Sequence, residues 1–129
     1  MSTKINPMLL IDFYKAVHAE MLPKGITKSV SYFTPRMSRV ARWDKVVMFG
    51  LQGFIKTYLI DYFNEEFFNK PFDEVIGDYK RVMDMTLGHE AYKIEKVEKL
   101  HELGYLPIEI VAPVSYTHLR AHETGRNLV

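Results

Sequence analysis

Cysteine is absent from the 129 residues. That excludes a disulfide framework, a thiolate zinc site and a cysteine nucleophile, and it fits a reducing compartment. Net charge is nearly absent as well. Lys and Arg total 17 against 16 Asp and Glu, a formal charge of +1, so nothing electrostatic draws the chain to nucleic acid or to an anionic membrane. An anion would have to be met by a local cluster. No apolar run is long enough to span a bilayer, and Met1 to Pro7 lacks the basic-then-apolar start of a secretory signal. A cytoplasmic location is the expectation. Also missing are a glycine-rich phosphate loop with lysine, GxGxxG, GxSxG and HExxH, so no self-sufficient motif names a reaction. What is there is 47% hydrophobic and 26% charged, the composition of one globular domain with material for a core.

Along the chain, Asn6 to Ile11 forms an apolar lead-in, and Asp12 is placed to cap a helix from about Phe13 to Met21 with its carboxylate. Phe13, Ala16 and Val17 make an apolar stripe on that helix, with Tyr14 and His18 on another side. Leu22-Pro23-Lys24-Gly25 ends it. Thr27 to Thr34 alternates β-branched and aromatic residues with serines and reads as a strand stopped by Pro35. The loop after it carries Arg36, Arg39 and Arg42, the dense positive patch of the chain. From Lys45 to Phe67, apolar residues at spacings of three and four predict a long, largely buried helix. Gly50 and Gly53 lie early in it and suggest a close backbone approach or a tight helix contact. Pro71 opens another helix, through Val75, Ile76, Tyr79, Val82 and Met83, closed near Gly88. A last helix covers Glu90 to Leu103, with Gly104 as its C-cap and a solvated Glu and Lys face. Leu106, Ile108, Ile110 and Ala112 then alternate as a second strand. The reading is α+β. Two strands make a poor sheet by themselves, so partners supplied by further sequence are expected.

From Val114 onward, VSYTHLRAHETGRNLV loses both periodicities. One set of codons for Val114 to Thr124 resembles the read-through of a transposon-type sequencing adapter. The bases that follow a variable index would finish Asn127 and encode Leu128 and Val129. Residues 1–113 are therefore expected to be the domain, and 114–129 a non-native, disordered tail. His118 and His122 sit four apart in it, but without a third ligand they make no metal site.

Before that tail, the chemistry-bearing residues are Asp12, Tyr14, Lys15 and His18 on one short helix and the arginines of the loop. Asp12 serves as an N-cap whether or not it touches a ligand. Tyr14 is either a core aromatic or a ring free to stack on a planar heterocycle. A lone histidine such as His18 is ordinarily structural. Guanidinium forks match phosphate oxygens in pairs, which makes Arg36 and Arg39 the best anion-binding candidates.

Four blocks carry a resemblance: Asp12-Phe13-Tyr14-Lys15 with His18, Ser31-Tyr32-Phe33-Thr34-Pro35-Arg36, Met48-Phe49-Gly50-Leu51-Gln52, and Leu106-Pro107-Ile108-Glu109-Ile110. In this order they resemble the N-terminal domain of bacterial-type nicotinamide phosphoribosyltransferases, and the nicotinate enzymes are similar with a weaker match. The resemblance implies the N-terminal α+β domain of a type II phosphoribosyltransferase whose α/β barrel is missing here. It implies that nicotinamide attacks C1 of phosphoribosyl pyrophosphate to give nicotinamide mononucleotide and pyrophosphate in NAD salvage. It further implies a homodimer with sites shared across the interface, in which Tyr14 stacks on the nicotinamide ring, Asp12 fixes the ring's surroundings and Arg36 meets phosphate. Mg2+, ATP and a phosphorylated histidine would belong to the full-length enzyme, so the truncated chain would be inactive and would expose apolar surface. Phe13 departs from the small residue of some relatives, which bears on fine specificity. The readings beside this one are a nicotinate phosphoribosyltransferase and a stand-alone module for phosphorylated ligands.

Overall fold

Asn6 accepts the Met8 N–H on its side chain, a cap at the head of the 3-10 turn Pro7–Leu9. The computed structural model describes residues 4–40, 42–89 and 91–120. In chain order it holds a second 3-10 helix, Phe13–Glu20; strand β1, Lys45–Val47; helix α1, Leu51–Phe54, continued by π-helical turns over Ile55–Tyr62 and Asn64–Phe68; α2, Phe72–Leu87; α3, Glu95–Leu103; and strand β2, His118–Arg120. The chain divides into two units, one formed by the described parts of Met1–Ile26 and Lys56–Pro107, the other by Thr27–Ile55 and the described part of Ile108–Val129.

The first unit is built on α2. Val75, Ile76, Tyr79 and Met83 recur at the three- and four-residue spacing that makes one buried stripe. They close on Phe67 and on Val97 of α3, with Met8, Leu9, Ala16, Phe63, Tyr92, Ile94 and Leu100 packed around them. Phe67 and Met83 are fully buried, each contributing about 1.5–3 kcal/mol by leaving water. Asp73 and Glu74 in the first turn of α2 complement its dipole. Gly88 stops that helix at φ 92°, and Gly104 stops α3 at φ 77°, both as the sequence predicts. Lys4 pairs with Glu65 and Glu66, and Lys70 pairs with Glu66 and Glu74, so the buried Glu66 carboxylate sits between two ammonium groups.

The second unit contains the two-stranded antiparallel sheet, with Lys45 opposite Arg120, Val46 opposite Leu119 and Val47 opposite His118. Here the structure departs from the expected elements. Thr27–Thr34 and Leu106–Ala112 form no strands, because a strand needs a neighbour to complete its ladder and neither segment has one. The helix expected from Lys45 instead begins at Leu51, since Gly50 at φ 79° turns the chain out of the strand before it. Most of its length is wound with i→i+5 closure, which takes residues spaced three and four apart off a single line. The stripe is accordingly buried only at its end: Phe54 and Tyr58 are half exposed, whereas Phe67 is in the core. A Cβ at Gly50 or Gly53 would meet nothing within 4 Å, so no close approach explains these glycines. The segment read as a disordered tail is ordered over His118–Arg120 as β2, and Leu119 is buried. A ladder recognises backbone amides, whatever the side chains, and β1 offers its amides to any extended segment in reach. The rest of that segment, 121–129, including His122, lies outside the described residues.

Candidate functional site

Asp12, Tyr14 and Lys15 belong to the first unit, on the 3-10 helix Phe13–Glu20. Asp12 takes the N-cap position with extended backbone, φ −63° and ψ 128°, and its carbonyl accepts the Lys15 N–H at 2.8 Å. Its carboxylate makes no capping hydrogen bond, contrary to the expectation. A 3-10 turn closes at i→i+3, so the main-chain bond to Lys15 already does the capping. That leaves the carboxylate aimed elsewhere. With Lys15, Leu9, Leu10 and Ile11 it lines a shallow depression of about 560 Å³, apolar with one charge of each sign.

Tyr14 is 57% exposed and is not a core aromatic of the first unit. Its ring meets His18 edge to face at 5.2 Å, and the Lys15 ammonium lies 4.8 Å from the ring centroid. Tyr14 and His18 thus share a side, as their spacing predicts. Glu20, at the end of this helix, pairs with Lys93 at 3.8 Å.

Arg36 and Arg39 belong to the second unit, in an irregular segment, and both are exposed. Ser38 orders the bend between them and the sheet: its hydroxyl accepts the Val40 N–H at 3.2 Å and donates to the Val40 carbonyl at 3.0 Å. Arg42 stacks on Trp43 at 4.8 Å. Among the described residues Arg36 and Arg39 form no ion pair, and Asp44, the nearest acid in sequence, pairs with Arg120. Two guanidinium groups are therefore presented without an internal counter-charge.

Two polar constellations were not singled out in the sequence. Tyr92 donates to the Asp84 carboxylate at 2.9 Å, and His89 Nδ1 lies 3.1 Å from the same carboxylate. Burial first, and the bond to Asp84 second, push the Tyr92 hydroxyl up to about 12. The hydrogen-bonded Lys70 ammonium holds Glu66 below the ordinary carboxylate value of 4.5, opposed by burial and aided by Lys4. Spacing hints at Glu66 with Lys70, four apart. Nothing in the sequence points to Lys4. Among the described residues no three His, Cys, Asp or Glu side chains gather as a metal site, and no helix is long and apolar enough to cross a membrane.

Residues 6–110 match the family described as nicotinamide phosphoribosyltransferase, N-terminal domain. The chain is 50% identical over 117 residues to a nicotinamide phosphoribosyltransferase of Acinetobacter baylyi, an alignment that takes in 87% of this chain and 23% of that protein. The chain thus spans about a quarter of the length of the curated relative it matches. No solved structure matches it. The matched region contains Asp12, Tyr14, Arg36 and Arg39 together with both helices of the core, and on this match the chain belongs to the nicotinamide phosphoribosyltransferase N-terminal domain family.

Proposed function

We propose that this chain forms the N-terminal part of a nicotinamide phosphoribosyltransferase of NAD salvage, and that it supplies binding groups to an active site completed by other sequence. The reaction joins the ring nitrogen of nicotinamide to C1 of phosphoribosyl pyrophosphate as the bond from C1 to the pyrophosphate oxygen breaks, and pyrophosphate leaves with the electron pair. The observation that carries the reading is Tyr14: a ring 57% exposed, two residues after an aspartate whose carboxylate is not used for capping, in a chain that belongs to this family. A planar, uncharged heterocycle stacks on such a ring, and stacking excludes water from one face of the nucleophile. Asp12 is suited to receive an N–H from the carboxamide. Arg36, with Arg39 beside it in sequence, is suited to hold phosphate oxygens by a charge-assisted fork as charge builds on the departing pyrophosphate.

In this reading the protein works as a cytoplasmic homodimer, with Asp12 and Tyr14 contributed to the partner's site. Phe33, Met37 and Phe49 are exposed, and a covering surface would take their apolar area out of water. Mg2+ and ATP belong to the same proposal. Among the described residues no three His, Cys, Asp or Glu side chains gather as a metal site, and the metal and nucleotide are assigned to sequence beyond this segment. Both comparisons carry the nicotinamide name, and no observation favours the nicotinate enzyme or a stand-alone phosphate-binding module.

The test is a pair of substitutions at Tyr14 in the full-length enzyme carrying this segment. Tyr14→Ala is expected to raise KM for nicotinamide roughly tenfold, the loss of a stacked ring at about 1 kcal/mol or slightly more, whereas Tyr14→Phe keeps KM within about twofold. If both variants match the unsubstituted enzyme, the ring does not bind substrate.

A further inference from the structure

Asn6 is the one uncharged polar residue buried among those described, at 7% exposure. Both of its polar ends are used. Oδ1 accepts the Met8 N–H at 3.0 Å, and Nδ2 donates to the carbonyl of Val75 at 3.1 Å, a bond between residues 69 apart. Val75 lies in the first turn of α2 and is itself in the core. The side chain therefore ties the origin of the lead-in to the best-packed helix of the first unit. Its neighbours act in the same direction: the Tyr62 hydroxyl donates to the Ile5 carbonyl at 2.6 Å, and Met8 and Leu9 pack against the core. Three residues after Leu9 comes Asp12, and Leu9, Leu10, Ile11, Asp12 and Lys15 line the depression described above.

We infer that Asn6 is a positioning residue: by holding Met8 and Val75 together it fixes the place from which Asp12 and Tyr14 are presented to the substrate ring. This rests on the proposed phosphoribosyltransferase reading. The chemistry of the site selects asparagine. Aspartate keeps the acceptor for Met8 but sets a carboxylate against the Val75 carbonyl. Leucine fills the space but strands the Met8 N–H without a partner. Alanine loses both bonds and leaves a void, and the cost falls where the lead-in leaves the core. Asn6 touches no substrate in this account, so its effect reaches chemistry only through the segment that follows it.

The experiment compares Asn6→Ala and Asn6→Asp with Val97→Ala, a core truncation on α3. Val97→Ala removes core volume on α3 and leaves both Asn6 hydrogen bonds in place. In the full-length enzyme carrying this segment, Asn6→Ala is expected to raise KM for nicotinamide about tenfold with kcat changed by less than about twofold. Asn6→Asp should fall between it and the unsubstituted enzyme, and Val97→Ala should leave KM unmoved. In the same protein, amide hydrogen exchange over residues 9–15 is expected to speed up in Asn6→Ala and not in Val97→Ala. Unchanged exchange over 9–15 overturns the clamp, whatever the activity does. Faster exchange with unchanged KM overturns its role in substrate binding. An unsubstituted enzyme that does not turn over nicotinamide overturns the phosphoribosyltransferase reading instead, and exchange then decides the clamp alone.

Discussion

Arg36 and Tyr14 illustrate how differently two exposed residues can be read. An exposed arginine is ordinarily just solvated, but Arg36 has no ion pair among the described residues, and the acid closest to the loop in sequence, Asp44, is engaged by Arg120. A guanidinium held in that way is worth most to a ligand that presents two oxygens at once. Arg36→Ala is accordingly expected to raise KM for phosphoribosyl pyrophosphate by about 10- to 100-fold, the value of a charged hydrogen bond, with Arg36→Lys recovering the charge but not the fork. Steady-state kinetics on the two variants check this. If lysine restores full affinity, the contact is a point charge and not a bidentate one. The arginines could be found in the sequence by their density, and Tyr14 by its block. By its neighbours Asn6 reads as part of an apolar lead-in, although Asn followed by Pro at the head of a helical turn is a capping signature. Its second bond, to Val75, lies 69 residues away and leaves no trace in local sequence.

At the scale of elements, α2 and the glycine-capped end of α3 follow their sequence closely, whereas the π-helical turns and the strands do not. In α2 the stripe of Val75, Ile76, Tyr79 and Met83 and the terminal Gly88 coincide with the buried face and the end of the helix. The interval from Lys45 to Phe67 departs from the single helix its spacing predicts, and its two glycines do different work. Gly50 sits at φ 79° and turns strand into helix, whereas Gly53 lies inside helix with space around it. Substitution separates the two. Gly50→Ala is expected to destabilise the chain by about 1–2 kcal/mol, the cost of left-handed backbone for a residue with a Cβ. Gly53→Ala should stabilise it by about 0.5–1 kcal/mol. Thermal unfolding of the two variants should shift in opposite directions, and a shared direction would show that the turn at Gly50 is not what fixes the start of α1.

For the molecule as a whole, the pH limits of stability follow from groups that anchor the first unit. Glu66 has its folded value depressed below 4.5 by Lys70 and Lys4. Its contribution is present above the ordinary carboxylate range and is lost as pH falls through the depressed value. Tyr92 is raised from 10.0 to about 12, so its contribution is complete below pH 10 and drains away between about pH 10 and 12. Lys4 and Lys70, raised above 10.5 mainly by their hydrogen bonds to Glu65 and Glu66 respectively, lose their contributions over the same alkaline side. Denaturant titrations across pH should show both flanks, with Glu66→Gln flattening the acid one and Tyr92→Phe the alkaline one. A Glu66→Gln protein with an unaltered acid limb would show that other carboxylates control it.

The sequence by itself determined the α+β class, the core helices with their glycine ends, the arginine patch and the family blocks, because each of these is written in spacings a few residues long. The tertiary structure decided what depends on distant partners. Thr27–Thr34 stays irregular for want of a neighbouring strand, while Lys45–Val47 becomes one because His118–Arg120 pairs with it. Glu66 is buried between lysines from two parts of the chain, and Asn6 reaches Val75. Periodicity records which face of an element is apolar. It does not record which carbonyl, 69 residues on, will accept the Asn6 N–H.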